Sequence, residues 1–168
     1  SNINIRCTLV TKYNGSFLYS IFYYYDRILM SNSSSQRILK LKALTYNNLA
    51  SQYLRDSFYD KSEDYALKSL EIKKGFGDNY SLAVAHKSPS NIYYFKKDYK
   101  KCLEILYEGL ALLDSLNGDR IDKLRSDFYL NIAYSIYRFR DYRSYEYYGK
   151  AWRIYNKTSQ EENERVFS

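Results

Sequence analysis

The sequence predicts an all-α fold, a solenoid of about four antiparallel helix pairs, on three observations. Only 6 Gly and 1 Pro occur among 168 residues, too few turn formers for a many-turned β-sandwich, a collagen or a disordered linker. Apolar residues recur at helical steps of three and four. A motif repeats at a fixed interval: Tyr13, Tyr53 and Tyr93 lie 40 residues apart, as do Tyr19, Tyr59 and Tyr99. A fourth copy follows at a slightly longer interval, Tyr99 to Tyr142 being 43 and Gly109 to Ala151 being 42. One helix pair cannot bury its own apolar face, so such copies are expected to stack into one continuous core.

The copies are placed at about 3–35, 41–76, 80–117 and 122–157, as one repeat domain over 1–157. The first is degenerate, with Val10 and Leu29 where the others carry small residues. The third reads most clearly: Ile92, Tyr93 and Phe95 mark its first helix, and Tyr99, Cys102, Leu103, Leu106 and Leu110 its second. In the fourth, Tyr129, Ile132, Ala133, Ile136 and Tyr137 form one stripe, and Tyr142, Tyr145, Tyr148, Ala151, Trp152 and Tyr155 the next. The breaks carry turn chemistry at Ser31 to Ser35, Gly75 to Asn79, and Asn117-Gly118-Asp119. Residues 158–168 read as a polar tail or the start of a further helix. Pro89 falls inside a helix and removes one backbone bond. That helix is expected to kink there, or to end near Lys87 and restart with Ser88 as N-cap.

These residues resemble the tetratricopeptide repeat family, in a long variant of about 40 residues per copy against the usual ~34. The likeness rests on Asn48-Leu49-Ala50, Tyr53, Tyr59, Ser69-Leu70-Glu71-Ile72, Ser90, Tyr93, Asp98-Tyr99, Cys102, Gly109-Leu110, Asn131-Ile132-Ala133, Asp141-Tyr142 and Lys150-Ala151-Trp152. The family places small residues where helices cross closely. Here these are Ala50, Ser90 and Ala133 in first helices and Ser69, Gly109 and Ala151 in second helices.

The resemblance implies a right-handed superhelix whose first helices line a concave groove that takes a protein or an extended peptide. Carried onto this chain, the groove residues are Asn47, Ser51, Leu54 and Arg55, then Val84, Lys87, Asn91, Tyr94 and Phe95, then Asp127, Leu130, Tyr134, Tyr137 and Arg138. Asn47, Arg55, Lys87, Asn91, Tyr94, Tyr134, Tyr137 and Arg138 are the candidates for contact. Tyrosine offers rigid area with a hydroxyl, and asparagine can pair with a peptide backbone. Lys87, Asn91 and Asn131 also look like part of the carboxylate clamp of some co-chaperones, but further cations are missing and Pro89 disturbs the spacing.

The net charge of +7 is uneven. Lys96, Lys97, Lys100, Lys101, Arg138, Arg140 and Arg143 cluster near turns inside the third and fourth pairs, and stacking is expected to align them as a basic edge. Asp78, Asp114, Asp119 and Asp122 fall on the opposite edge. A basic edge attracts nucleic acid or an acidic surface, yet no nucleic-acid motif accompanies it, so nucleic acid is not the expected partner.

Catalysis is not expected either. His86 is the sole His, the glycines form no phosphate loop, and Cys7 and Cys102 lack metal or disulfide spacing. No cofactor and no metal are expected. The most apolar stretch, Phe17 to Met30, is too short and too charged to span a bilayer. Ser1-Asn2 resembles the remnant of a cleaved tag and the sole Met is Met30, so the chain is read as part of a longer bacterial protein. Its expected role is the interaction or sensory region of a regulator, with a peptide-pheromone receptor as one context. A self-associating scaffold and a nucleic-acid-binding solenoid are the alternatives. The compartment stays open, with cytoplasmic favoured over periplasmic.

Overall fold

The computed structural model describes residues 27–31 and 35–167. These residues are helical with no strand. Besides a helical stretch at 27–30, the elements are α1 (Gln36–Arg55), α2 (Tyr59–Lys74), α3 (Asn79–Phe95), α4 (Tyr99–Ala111), α5 (Asp119–Tyr137) and α6 (Arg143–Phe167). The closest packing joins α1 with α2, α3 with α4, and α5 with α6. Next come α2 with α3 and α4 with α5, and α3 lightly touches both α1 and α5. These helix pairs overlap the copies expected at 41–76, 80–117 and 122–157, but α1 begins at Gln36, α5 at Asp119, and α6 runs on to Phe167. The copy at 3–35 lies mostly outside the described residues, with Ile3, Ile5, Cys7, Leu9, Val10, Tyr13, Tyr19 and Tyr25.

Local chemistry explains where the helices begin. Ser35 accepts from the Ile38 amide at 3.4 Å, Asp78 from Ser81 at 2.7 Å, and Asp98 from Lys101 at 3.1 Å. Each satisfies an amide that has no partner within the helix. Gly118, at φ +115°, turns the chain into α5.

Small residues sit where helices meet. Ala50, Ser69, Ser90, Ala133 and Ala151 are at most 2% exposed, and Gly109 is buried. The serines add polar seams: Ser62 Oγ donates to the Ala50 carbonyl and Ser69 Oγ to the Ala43 carbonyl, both at 2.7 Å. The main core runs through α3, α4 and α5 and includes Ala83, Tyr93, Leu106, Leu124, Phe128 and Ile132.

One of the two outcomes expected at Pro89, and the expectation for 158–168, need correction. The helix bearing Pro89 neither ends at Lys87 nor restarts at Ser88: α3 is continuous from Asn79 to Phe95. The proline ring is fully buried, so its packing accompanies the missing amide bond. Residues 158–167 are neither a separate tail nor a new helix. They continue α6 to Phe167, and no Gly or Pro follows Gly149 to stop it.

The turn inside each pair carries strain that no glycine marks. Ser57, Lys97 and Arg140 have φ of 62°, 63° and 55°. After α1 the Phe58 amide donates to the Tyr53 carbonyl, and after α3 the Asp98 amide donates to the Tyr93 carbonyl, both at 2.9 Å. This left-handed cap usually takes glycine. A left-handed L residue costs about 1–2 kcal/mol, against about 0.5–1 kcal/mol for glycine's greater freedom when unfolded. Lys97→Gly is therefore expected to stabilise the chain by about 0.5–1 kcal/mol. Urea unfolding midpoints of the two forms check this, and a lower midpoint for the variant would refute it.

Candidate functional site

A cavity of about 340 Å³ lies between α3 and α5, with α4 contributing Cys102. From α3 it is lined by Ser90, Asn91, Tyr94 and Phe95, and from α5 by Asn131, Tyr134 and Ser135. Asn91, Tyr94 and Phe95 share their spacing with Asn131, Tyr134 and Ser135, although the small residues Ser90 and Ala133 set the repeat register between these helices at 43. In each helix the first two residues are three apart and the third follows directly, so all three share one face.

The polar groups divide into engaged and open. Ser135 Oγ donates to the Asn131 carbonyl at 2.8 Å and lies 3.3 Å from Cys102 Sγ. Burial pushes the Cys102 thiol up, which makes it a weak nucleophile. Among the described residues, the side-chain amides of Asn91 and Asn131 make no hydrogen bond. Tyr94 Oη accepts from Arg138 Nε at 3.0 Å and Nη2 at 2.9 Å. The Tyr94 ring is edge-on to Phe95 and Tyr99, and Tyr134 is edge-on to Tyr148 at 5.6 Å. One turn before Asn91, Lys87 is closed on Asp127 at 2.6 Å.

Of the contact candidates, Asn91, Tyr94 and Tyr134 meet in the cavity, with Arg138 tied on through Tyr94. Asn47 and Arg55 do not join them. Asn47 is half-buried on α1, and exposed Arg55 donates to Gln52 Oε1 at 2.6 Å. Tyr137 instead borders a separate depression with Arg140, Tyr142 and Tyr145. Lys87, held by Asp127, is not a free cation for a clamp.

The basic edge is less uniform than the sequence implies. Lys96 bridges Asp60 at 2.9 Å and Glu63 at 2.7 Å, and Lys101 stands 3.8 Å from Glu63 and over the Tyr93 ring. Arg143 forks onto Asp141, at 2.8 and 2.6 Å. Lys97, Lys100 and Arg140 are exposed. The neutralising acids Asp60 and Glu63 come from the start of α2, more than 30 residues away in sequence, which is why the run of lysines reads as uncompensated.

Glu63 is the residue that sequence reasoning passed over. It accepts from the Tyr93 hydroxyl and from Lys96. Burial pushes its carboxyl up, but the hydrogen bonds from Lys96 and Tyr93 and the charges of Lys96 and Lys101 prevail and hold it below the usual range. The faint sequence signal was Asp60 and Glu63 one turn apart at a helix start. His86 is buried, with Nδ1–H donating to the Leu82 carbonyl at 2.8 Å and Nε2 3.6 Å from Glu108. Among the described residues no group of His, Cys, Asp or Glu is arranged to hold a metal ion, and no helix is long and apolar enough to cross a membrane.

No model of a known protein family matches the sequence, and no curated protein sequence matches it. Among solved structures, BtubC (BKLC) from P. vanneervenii is similar, with a TM-score of 0.65 and 19% identity over 74% of this chain and 49% of that one. This chain thus spans about half the length of that protein. At such identity the likeness concerns the helical fold alone.

Proposed function

We propose that the chain is a right-handed solenoid of antiparallel helix pairs of tetratricopeptide type, and that it binds a protein segment or extended peptide without catalysis. The carrying observation is the cavity between α3 and α5, where two asparagine amides with no side-chain partner lie among Tyr94, Phe95 and Tyr134. An extended peptide leaves its own N–H and C=O groups unpaired, and an asparagine amide can pair with both. The aromatic rings give rigid area at low entropic cost. The order of nearest-neighbour helix packing supports a stacked array. In a larger bacterial protein such a module would be the part that receives a signal or a partner. Nucleic acid is the weaker reading, because Lys96, Lys101 and Arg143 are paired with acids within the chain.

A displayed library of short random peptides, selected on the 168-residue chain, tests this. Selected peptides should bind the wild type and lose about 100-fold in affinity against Asn91→Ala/Tyr134→Ala, near 1.4 kcal/mol per residue removed. Arg55→Ala, outside the cavity, should bind like the wild type. Circular dichroism confirms that each variant is folded. Equal binding to the cavity variant, or no enrichment at all, would overturn the reading.

A further inference from the structure

The turns inside the three described helix pairs lie along one edge. Phe58, at the first turn, and Phe95, at the second, share a depression of about 540 Å³ that Ser57, Lys61 and Lys97 also line. Tyr99, the first residue of α4, meets Phe139 of the third turn edge-on at 5.9 Å. Phe58, Phe95 and Phe139 are 55%, 54% and 56% exposed, so each turn presents one large apolar ring. Residues 55–61, 95–101 and 137–143 carry nine cations against four acids, most of the chain's net charge of +7. Lys96, Lys101 and Arg143 are paired with acids, and Lys61 stands over the Phe58 ring. Lys97, Lys100 and Arg140 are exposed and, among the described residues, make no hydrogen bond or ion pair through their side chains. Two of these three cations sit where they cost stability. Lys97 and Arg140 hold the left-handed position of their turns, at φ of 63° and 55°. Glycine would fill either place with less strain. Strain of this kind clusters at functional sites. What the two side chains share is an unpaired positive charge beside an exposed phenylalanine.

We propose that this edge is a second binding site, and that its partner is an acidic protein segment bearing aromatic side chains. One ring of the partner enters the depression between Phe58 and Phe95, and flanking carboxylates pair with Lys97, Lys100 and Arg140. The unpaired cations select an anionic partner. The acids on the edge select a peptide over nucleic acid. The Asp60 side chain is 95% exposed, and Asp98 and Asp141 directly follow Lys97 and Arg140. A nucleic-acid backbone carries a charge at every nucleotide and cannot step around these acids. A peptide sets its carboxylates at intervals, and a neutral or cationic residue opposite each acid avoids the repulsion. The exposed rings select an aromatic side chain, because a further ring can pack edge-on or offset against them. Neither Lys97 nor Arg140 lines the cavity between α3 and α5, so the proposal stands apart from the groove reading.

The probe is a fluorescein-labelled, C-terminally amidated peptide of repeated Glu-Glu-Phe units, read by fluorescence anisotropy against the 168-residue chain. It should bind, and bind more weakly as salt rises. Analogues with Gln for Glu, or Gly for Phe, should each bind about tenfold more weakly. Lys97→Gly/Arg140→Gly should lose about tenfold in affinity while its urea unfolding midpoint rises, a combination that a merely structural role would not give. Lys74→Gln/Lys123→Gln removes the same charge from the opposite ends of α2 and α5, and should stay within about twofold of the wild type. No binding of the probe overturns the proposal. So does binding that the two glycine changes leave intact, or that the control pair weakens equally. So does a Gly-for-Phe analogue as tight as the probe, which would leave only a charged surface. An oligothymidylate of equal charge that binds as tightly as the probe overturns the choice of a peptide.

Discussion

Gly109→Ala is expected to lower the unfolding free energy by about 1–3 kcal/mol, although alanine is the better helix former. The added Cβ would stand 2.6 and 2.7 Å from Phe128 Cζ and Cε1, and 2.9 Å from His86 Cβ. Neither neighbour can give easily. Phe128 is fully buried, and His86 is held through its ring to the Leu82 carbonyl. α4 passes between α3 and α5 at this point, so the misfit falls on both contacts. A shorter side chain at residue 128 should remove it. In a Phe128→Leu background the same glycine change should be neutral or stabilising, through the ~1 kcal/mol that helix propensity favours alanine. Denaturant unfolding of the four proteins in this cycle gives the coupling. An equal cost in both backgrounds would show that the Phe128 ring is not the obstacle.

Glu63→Ala should cost about 1.5–3 kcal/mol near neutral pH, because it strips a charged acceptor from both Tyr93 and Lys96. Asp60→Ala is the matched control, since Asp60 also reaches Lys96 but its side chain is 95% exposed, and it should cost under about 1 kcal/mol. The pH dependence has a definite sign. The Glu63 carboxyl is held low in the folded chain, so its stabilisation is present above the usual carboxylate pKa of about 4.3 and fades as pH falls through the folded value. Lys96 is raised by its hydrogen bonds to Glu63 and Asp60, so its share is present below about 10.4 and fades as pH rises through the folded value. The stability gap between wild type and Glu63→Ala should therefore be widest from about pH 5 to 10 and narrow in acid. A gap that is constant down to acid pH would mean that the ion pair contributes nothing.

Both predictions rest on contacts that differ in how visible they are from sequence. Gly109 was legible as a small residue, because close helix crossings recur at the repeat interval and exclude side chains at the same place in each copy. Asn91, Tyr94 and Tyr134 were legible as candidates through the family resemblance, whereas that Asn131 lines the same cavity follows from how α3 packs beside α5. Glu63 was not. Its partners lie on another helix pair, and nothing in a local pattern distinguishes it from Asp60 or Asp64. The left-handed turns at Ser57, Lys97 and Arg140 were hidden because the usual glycine is absent. Pro89 offered a break that the chain does not take: the residue is buried in a helix that runs through it.

The cavity between α3 and α5 has one further property. Its two walls belong to different helix pairs, and its floor is the seam where Cys102 meets Ser135. The two pairs touch through α4 against α5 and only lightly through α3 against α5. A ligand bound there as proposed would act as a rivet across a joint. A bend that splays the joint widens the mouth and loosens the rivet, and a seated occupant resists the bend to the same degree, since coupling between two such events is reciprocal. For the proposed peptide-binding role, tension that splays these two pairs would lower the affinity for the bound segment.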